Sequence, residues 1–214
     1  MPRRAVRKFS PELDLSHHYR EVDQLPQPWD STPLFPKQQP LEVEMGSGKG
    51  LFITAAAQQR PEHNFLGIEL ARKYASYSAA KITKLELPNA VMVQGDGLKV
   101  FREILPAASV TAVHVYFPDP WWKARHKKRR VLNEAFLRDA QRVLISGGKL
   151  HFWTDVEEYF QTTLELLAGL NLELEGPLEV PETAAEHDLD YRTHFERRTR
   201  LNAEPVYRAE FRRK

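Results

Sequence analysis

The sequence contains no cysteine. Disulfides, thiolate metal sites and cysteine nucleophiles are therefore excluded. It also lacks any apolar run approaching the roughly 18 residues that a membrane helix needs. Residues Met1 to Ser10 are basic and lack the apolar stretch of a secretory signal, so the cytoplasm is the expected compartment. Eight histidines are present, but none shows ligand spacing, and His17 and His18 are adjacent rather than one helical turn apart. No zinc or other metal is expected. Ser31 and Ser47 lack a G-x-S-x-G setting, so nothing supports a hydrolase triad.

The 214 residues that remain to be explained suit one domain with an arm. A net charge of only +2 hides an uneven distribution. Lys123 to Arg130 holds six Lys or Arg in eight positions, with His126 among them. Arg3, Arg4, Arg7 and Lys8 form a second basic cluster, Arg192, Arg197, Arg198 and Arg200 a third, and Arg212, Arg213 and Lys214 a fourth. Acids gather elsewhere, as between Glu179 and Asp190. Such clustering points to a polyanionic partner, although charge alone does not separate that from a solvated surface.

Residues 1–40 read as an irregular, basic, Pro-rich arm, because Pro26, Pro28, Pro33, Pro36 and Pro40 recur too closely for a helix or a central strand. From residue 41 to 214 short apolar runs alternate with helical ones. Strands are predicted over 41–45, 64–69, 90–94, 112–117 and 149–154, with a last one over 206–211. Helices are predicted over 51–59, 72–85, 98–105, 131–144 and 157–168. In the fourth helix Leu132, Phe136, Leu137, Ala140, Val143 and Leu144 recur at helical spacing, and Gly147-Gly148 is expected to stop it. This alternation predicts an α/β fold whose mostly parallel sheet has helices on both faces. Such sheets bind ligands at the carboxyl ends of their strands.

The first of these strands runs into Glu44-Met45-Gly46-Ser47-Gly48-Lys49-Gly50. Glycines here let the backbone turn sharply and approach a ligand. A P-loop would need Ser or Thr after the Lys, and Gly50 stands there. A dinucleotide fingerprint, GxGxxG, would need Gly where Leu51 falls. A glycine-rich turn with no ligand stays open on this motif alone. Three further acids follow successive strands: Glu69, Asp96 and Asp119. Each alone suits a helix cap or a surface acid. Together they offer acceptors to S-adenosylmethionine, which carries an ammonium, a sulfonium, ribose hydroxyls and an adenine amine.

After the fourth strand comes Phe117-Pro118-Asp119-Pro120-Trp121-Trp122-Lys123-Ala124-Arg125-His126-Lys127-Lys128-Arg129-Arg130. Prolines on both sides of Asp119 fix its backbone. Indole rings offer faces to a base, and the basic run can neutralise phosphates. A catalytic edge joined to a polyanion-binding loop argues for a nucleic-acid substrate.

With these motifs the sequence resembles the bacterial tRNA (guanine-N7)-methyltransferases. The resemblance rests on Glu44-x-Gly46-x-Gly48-x-Gly50, Gly67-Ile68-Glu69, Pro118-Asp119-Pro120-Trp121 and the basic run after it, Thr154-Asp155, and Thr193-x-Phe195-Glu196. It implies a Rossmann-like class I methyltransferase with a seven-stranded sheet, acting on N7 of a variable-loop guanine in tRNA. It implies S-adenosyl-L-methionine held by Glu44, Gly46, Gly48, Glu69, Asp96 and Asp119, with Asp119 as the catalytic candidate. It implies substrate contacts from Lys123, Asp155, Thr193, Phe195 and Glu196. RNA contact falls to Arg125, His126, Lys127, Lys128, Arg129 and Arg130. Trp122 stands where the family usually has Pro, and Leu201-Asn202 where a Gly is common.

Guanine N7 carries a lone pair and no proton, so methylation there needs no general base. Asp119, Asp155 and Glu196 are the acceptors expected at the donor edge of the purine, and Lys123 the cation expected at O6. Arg208, Arg212 and Arg213 are expected to face solvent, and His114 and His151 to be structural. Three rivals remain on the residues alone: a nicotinamide dehydrogenase, an amino-group methyltransferase of another base, and a non-catalytic RNA-binding protein.

Overall fold

A computed structural model describes residue 10 and residues 12–178, 180 and 191–214. The basic cluster at Arg3 to Lys8 and nearly all of the acidic run from Glu179 to Asp190 lie outside the described residues.

The alternation of the sequence is realised as eight strands, β1 Tyr19–Glu21, β2 Leu41–Met45, β3 Asn64–Glu69, β4 Ala90–Gln94, β5 Val110–Tyr116, β6 Leu144–Thr154, β7 Leu174–Leu178 and β8 Tyr207–Arg213. They form one sheet in the order β1-β4-β3-β2-β5-β6-β8-β7. The first six in that order are parallel, and β8 runs antiparallel between β6 and β7. The helices are α1 Leu51–Gln59, α2 Arg72–Lys84, a single turn α3 Gly97–Lys99, α4 Glu134–Val143, α5 Glu157–Gly169 and α6 His194–Leu201.

Successive strand residues face opposite ways. Val43, Leu66, Val91, Val113, Leu150, Phe152 and Phe211 build one core with Phe136, Leu137, Ala140 and Tyr159 of α4 and α5. Phe65, Met92, Tyr116 and Trp153 build a second with Phe52, Ile53, Ala79 and Ile82 of α1 and α2. Burial on both faces is what a parallel sheet requires of its central strands.

Four departures from the sequence reading have local causes. The sheet has eight strands, not seven, because Tyr19–Glu21 pairs along β4 at the edge. Just beyond it Val22, Leu25, Leu34 and Phe35 are buried, so this segment covers the sheet rather than trailing from it. The helix expected over 98–105 is one turn that continues as a π-helical turn over Val100–Ile104. Gly147-Gly148 does not end α4. The chain is already extended at Leu144, which pairs with Val110, and the two glycines lie inside β6 at a register shift. A Cβ on Gly148 would come within 3.1 Å of the Thr111 carbonyl, so close backbone approach is what demands glycine there. Finally, β7 is an edge strand containing Pro177, which hides its pattern.

Candidate active site

Sheet order reverses between β2 and its neighbours β3 and β5, which opens a crevice at the carboxyl ends of these strands. The Glu44 to Gly50 loop lies there. Its Gly46, Gly48 and Gly50 have φ of 81°, 54° and 66°, a left-handed turn closed to side chains with a Cβ. The amides of Gly46 and Ser47 donate to the Ile68 carbonyl at 2.8 and 2.9 Å. Glu69 ties the loop from the next strand, accepting from the Gly48 amide at 2.9 Å and from the Ala71 amide at 2.8 Å. Asp96 caps the following turn through the Leu98 amide at 2.9 Å.

Two observations indicate what this cradle is shaped for. A Cβ added to Gly46 or Gly48 would meet no atom within 4 Å, so open space faces the loop. Beside it Glu44 is buried, and its Oε2 has no hydrogen-bond partner. Burial pushes the Glu44 carboxyl up to about 8, with Ser47 opposing and the Glu69 carboxylate reinforcing the rise. A buried carboxyl oxygen without a partner is costly unless a donor or a cation completes it. The amino-acid ammonium and the hydroxyls of S-adenosylmethionine match that donor requirement, so the residues present fit the cofactor.

Asp119 follows β5 on an exposed loop. The residues bounding that loop, Phe117 and Trp121, have φ of 49° and 48°. Two bulky residues in the left-handed region store backbone strain, which the surroundings must hold. Much of the holding is done by Arg130. This residue was expected on the RNA-binding surface, but it is 7% exposed and points inward. Its Nε donates to the Pro120 carbonyl at 2.8 Å, its Nη2 pairs with Glu158 at 2.6 Å, and its guanidinium lies 4.4 Å from the centre of the Tyr159 ring. Lys127 pairs with the same Glu158 at 2.6 Å. These two cations hold the Glu158 carboxyl down at about 2, Arg130 first. The run is thus split: Arg125, Lys128 and Arg129 stand exposed, His126 is half-buried, Lys127 clasps α5, and Arg130 anchors the loop.

Asp155 follows β6 and is half-buried. Thr193 caps the start of α6, and Glu196 ties down the residue before it. The Thr193 hydroxyl accepts from the Glu196 amide at 3.0 Å, and Glu196 Oε2 accepts from the Arg192 amide at 2.6 Å. Glu196 is 1% exposed, with Arg200 at 3.3 Å and Arg208 at 3.7 Å. The structure thus places Phe195 beside the Phe117 end of the Asp119 loop, uses the Thr193 hydroxyl as a helix cap, and turns the Glu196 carboxylate inward. Phe195 is exposed, and its ring stacks on Phe117 at 6.4 Å. Arg208, expected in solvent, has its side chain buried against Trp153 and Glu196, because it pairs opposite Trp153 and so shares that face of the sheet while Ala209 takes the other.

The methyltransferase family model Methyltransf_4 matches residues 38–209. A tRNA (guanine-N(7)-)-methyltransferase of Rhodopirellula baltica is 49% identical over 219 residues, covering 100% of this chain and 81% of the relative. One of Limosilactobacillus fermentum is 35% identical over 176 residues, covering 81% of this chain and 80% of the relative. The chain belongs to this methyltransferase family. The fold also resembles the 30S ribosomal A1408 methyltransferase from an uncultured bacterium (TM-score 0.55, 18% identity, 86% of this chain and 94% of that one). It resembles the aminoglycoside resistance methyltransferase NpmB1 as well (TM-score 0.51, 22% identity, 82% of this chain and 87% of that one). At these identities the likeness speaks for the fold alone.

Within this family fold, two features escaped sequence reasoning. Glu158 is one acid among several in α5, and nothing in its spacing marks it as the partner of the basic loop. Beneath the crevice, Glu42, His114 and Tyr116 form a buried chain, with His114 Nε2 at 2.7 Å from Glu42 and Nδ1 at 2.9 Å from the Tyr116 hydroxyl. Burial pushes Glu42 up, but the His114 hydrogen bond and the charge of Arg60 outweigh it and hold the carboxyl at about 2. His151 stacks on His114 at 4.7 Å, and burial lowers both imidazoles. Both imidazoles are packed within the fold. Among the described residues no group of His, Asp or Glu is arranged to hold a metal, and no helix is long and apolar enough to cross a membrane.

Proposed function

We propose that this protein transfers a methyl group from S-adenosylmethionine to N7 of a guanine in tRNA. The observation that carries the proposal is the buried Glu44, whose Oε2 has no partner, beside an open glycine cradle, with an anchored basic loop leading away from Asp119. Its relatives of known name give the reacting atom and the class of RNA.

S-adenosylmethionine, when bound, supplies an electrophilic methyl group on a sulfonium. The chain's own residues then have four tasks. Glu44, Gly46 and Gly48 receive the amino-acid end, Glu69 the ribose hydroxyls and Asp96 the adenine amine. Asp119 and Asp155, after β5 and β6, accept from the donor edge of the guanine and put negative charge where the purine becomes cationic. Lys123 lies on the loop beside them and faces O6. Thr193 and Phe195 close the far side, and Glu196 acts by fixing the helix turn that presents them. No residue has to remove a proton, since N7 bears none. Catalysis is then mostly orientation, which can supply about 7–11 kcal/mol of the barrier.

Arg125, Lys128 and Arg129 supply phosphate contacts. The test is methyl transfer from labelled S-adenosylmethionine to an unmodified tRNA transcript, with the product nucleoside identified by mass spectrometry. N7-methylguanosine is expected, and Asp119→Ala should lower kcat by at least ~100-fold while the protein still binds tRNA. Another methylated nucleoside would retain fold and cofactor but overturn the reacting atom. Tight tRNA binding without transfer would leave an RNA-binding protein.

A further inference from the structure

Trp122 has 69% of its surface exposed. Single apolar residues on a surface are ordinary. This one is the largest side chain available, and it lies between Asp119 and the basic run. Its neighbour Trp121 is folded back, with Arg129 5.1 Å from its ring centre and His126 edge-on at 5.9 Å. The positive φ of Trp121 turns the two consecutive indoles apart, so one is covered and the other is presented. The platform is rigid, because the Arg130 side chain holds the Pro120 carbonyl and is itself clasped by Glu158.

We infer that Trp122 stacks on a nucleobase adjacent to the target guanine. The inference rests on the tRNA methyltransferase reading above and extends it to how the RNA is held. In a stacked A-form helix N7 faces a deep, narrow groove that side chains do not reach. For N7 to enter the crevice, the guanine must leave its stack, and its neighbour then loses one covered face. An exposed indole replaces that lost contact at little ordering cost, whatever the base. The exposed Arg125 and Lys128 beside it supply the matching phosphate contacts. A second exposed ring, Phe195, is already stacked on Phe117 at the start of the same loop, which leaves Trp122 as the ring with an open face. The occupant of the Trp122 face is therefore an unstacked flanking nucleotide, and the substrate segment is a loop rather than a continuous helix.

Steady-state kinetics with an unmodified tRNA transcript test this. Trp122→Ala should raise KM for tRNA by roughly five- to 150-fold, the range that base–aromatic stacking spans. It should leave kcat within about twofold, since the interaction is made equally in ground and transition states. Trp122→Phe should recover most of the loss. Cofactor affinity in calorimetry and Tm should not move, which a merely structural role would not allow. An unchanged KM in Trp122→Ala, or a loss confined to kcat, overturns the inference while wild-type activity keeps the reaction intact. A wild-type protein that makes no N7-methylguanosine overturns the reaction, and this inference with it.

Discussion

Replacing Glu44 with Gln should stabilise the free protein and disable its cofactor site. Burial raises this carboxyl from 4.5 to about 8. The sign follows from linkage. A folded-state pKa above the unfolded one means that folding favours the protonated form, so the contribution to stability is full below pH 4.5. It declines as pH rises from 4.5, and the loss is complete above about 8. At pH 7 the unfolded chain releases this proton and the folded chain keeps it, which over two and a half units costs about 3 kcal/mol. Gln has the size of the neutral acid and no proton to lose. Without cofactor, Glu44→Gln should therefore raise Tm by roughly 6–12 °C at pH 7, given about 2–4 °C per kcal/mol for a chain of this size. At pH 4 wild type and variant should coincide. Saturating S-adenosylmethionine should reverse the order, because the wild type gains stability from a ligand that completes its buried acid. Scanning fluorimetry from pH 4 to pH 8, with and without cofactor, makes the measurement. A Tm difference that stays constant between pH 5 and pH 8 would refute the reasoning.

The basic loop and the glycines allow two further comparisons. Arg130→Ala should destabilise the fold by about 2–3 kcal/mol, since it removes a buried guanidinium and strips the Pro120 carbonyl of its donor. Lys128→Ala should leave stability within ±0.5 kcal/mol, weaken tRNA binding and reduce its salt slope by about 1, as read in denaturant melts and salt-dependent titrations. Gly67→Ala would set a Cβ 2.6 Å from Ser47 Oγ and 2.7 Å from Met92 Sδ, so denaturant melts should show a loss of about 1–3 kcal/mol. Gly46→Ala meets no such wall; its backbone strain adds to a direct obstruction of the cradle, so cofactor affinity should fall by a larger factor than in Gly67→Ala.

Much of this architecture was legible because the chemistry is local. The five central strands announce themselves as short apolar runs, and the acids sit at their carboxyl ends, from the next-to-last residue of β2 to three residues beyond β5, where the parallel fold brings them together. Lys127 and Arg130 were harder, because their roles depend on Glu158, about thirty residues away in sequence and adjacent only after α5 docks. Arg130 illustrates the limit. A run of cations reads as a surface, and only three-dimensional contacts reveal that one of them is turned inward. The same holds for Glu196, which as part of Thr-x-Phe-Glu reads as a ligand but also satisfies the capping-box pattern at the same spacing. β1 escaped because three residues are too few for alternation to register, and β7 because Gly176-Pro177 interrupts it.

The place of β8 in the sheet bears on how the protein is made. β8 pairs with β6 on one side and β7 on the other, so residues 207–213 complete a sheet whose other strands are synthesised earlier. At 5–20 residues per second, the free edge of β6 waits roughly 3–10 s between the synthesis of Thr154 and that of Tyr207. During that interval Trp153 lacks the cover of Arg208. The nascent chain thus passes through a stage in which β1 to β6 can pair while the β8 side of the sheet is missing. An unpaired strand edge next to an uncovered indole is the feature most prone to mispairing. Chaperone dependence in the cell should therefore be governed by this late-closing edge rather than by the catalytic loop.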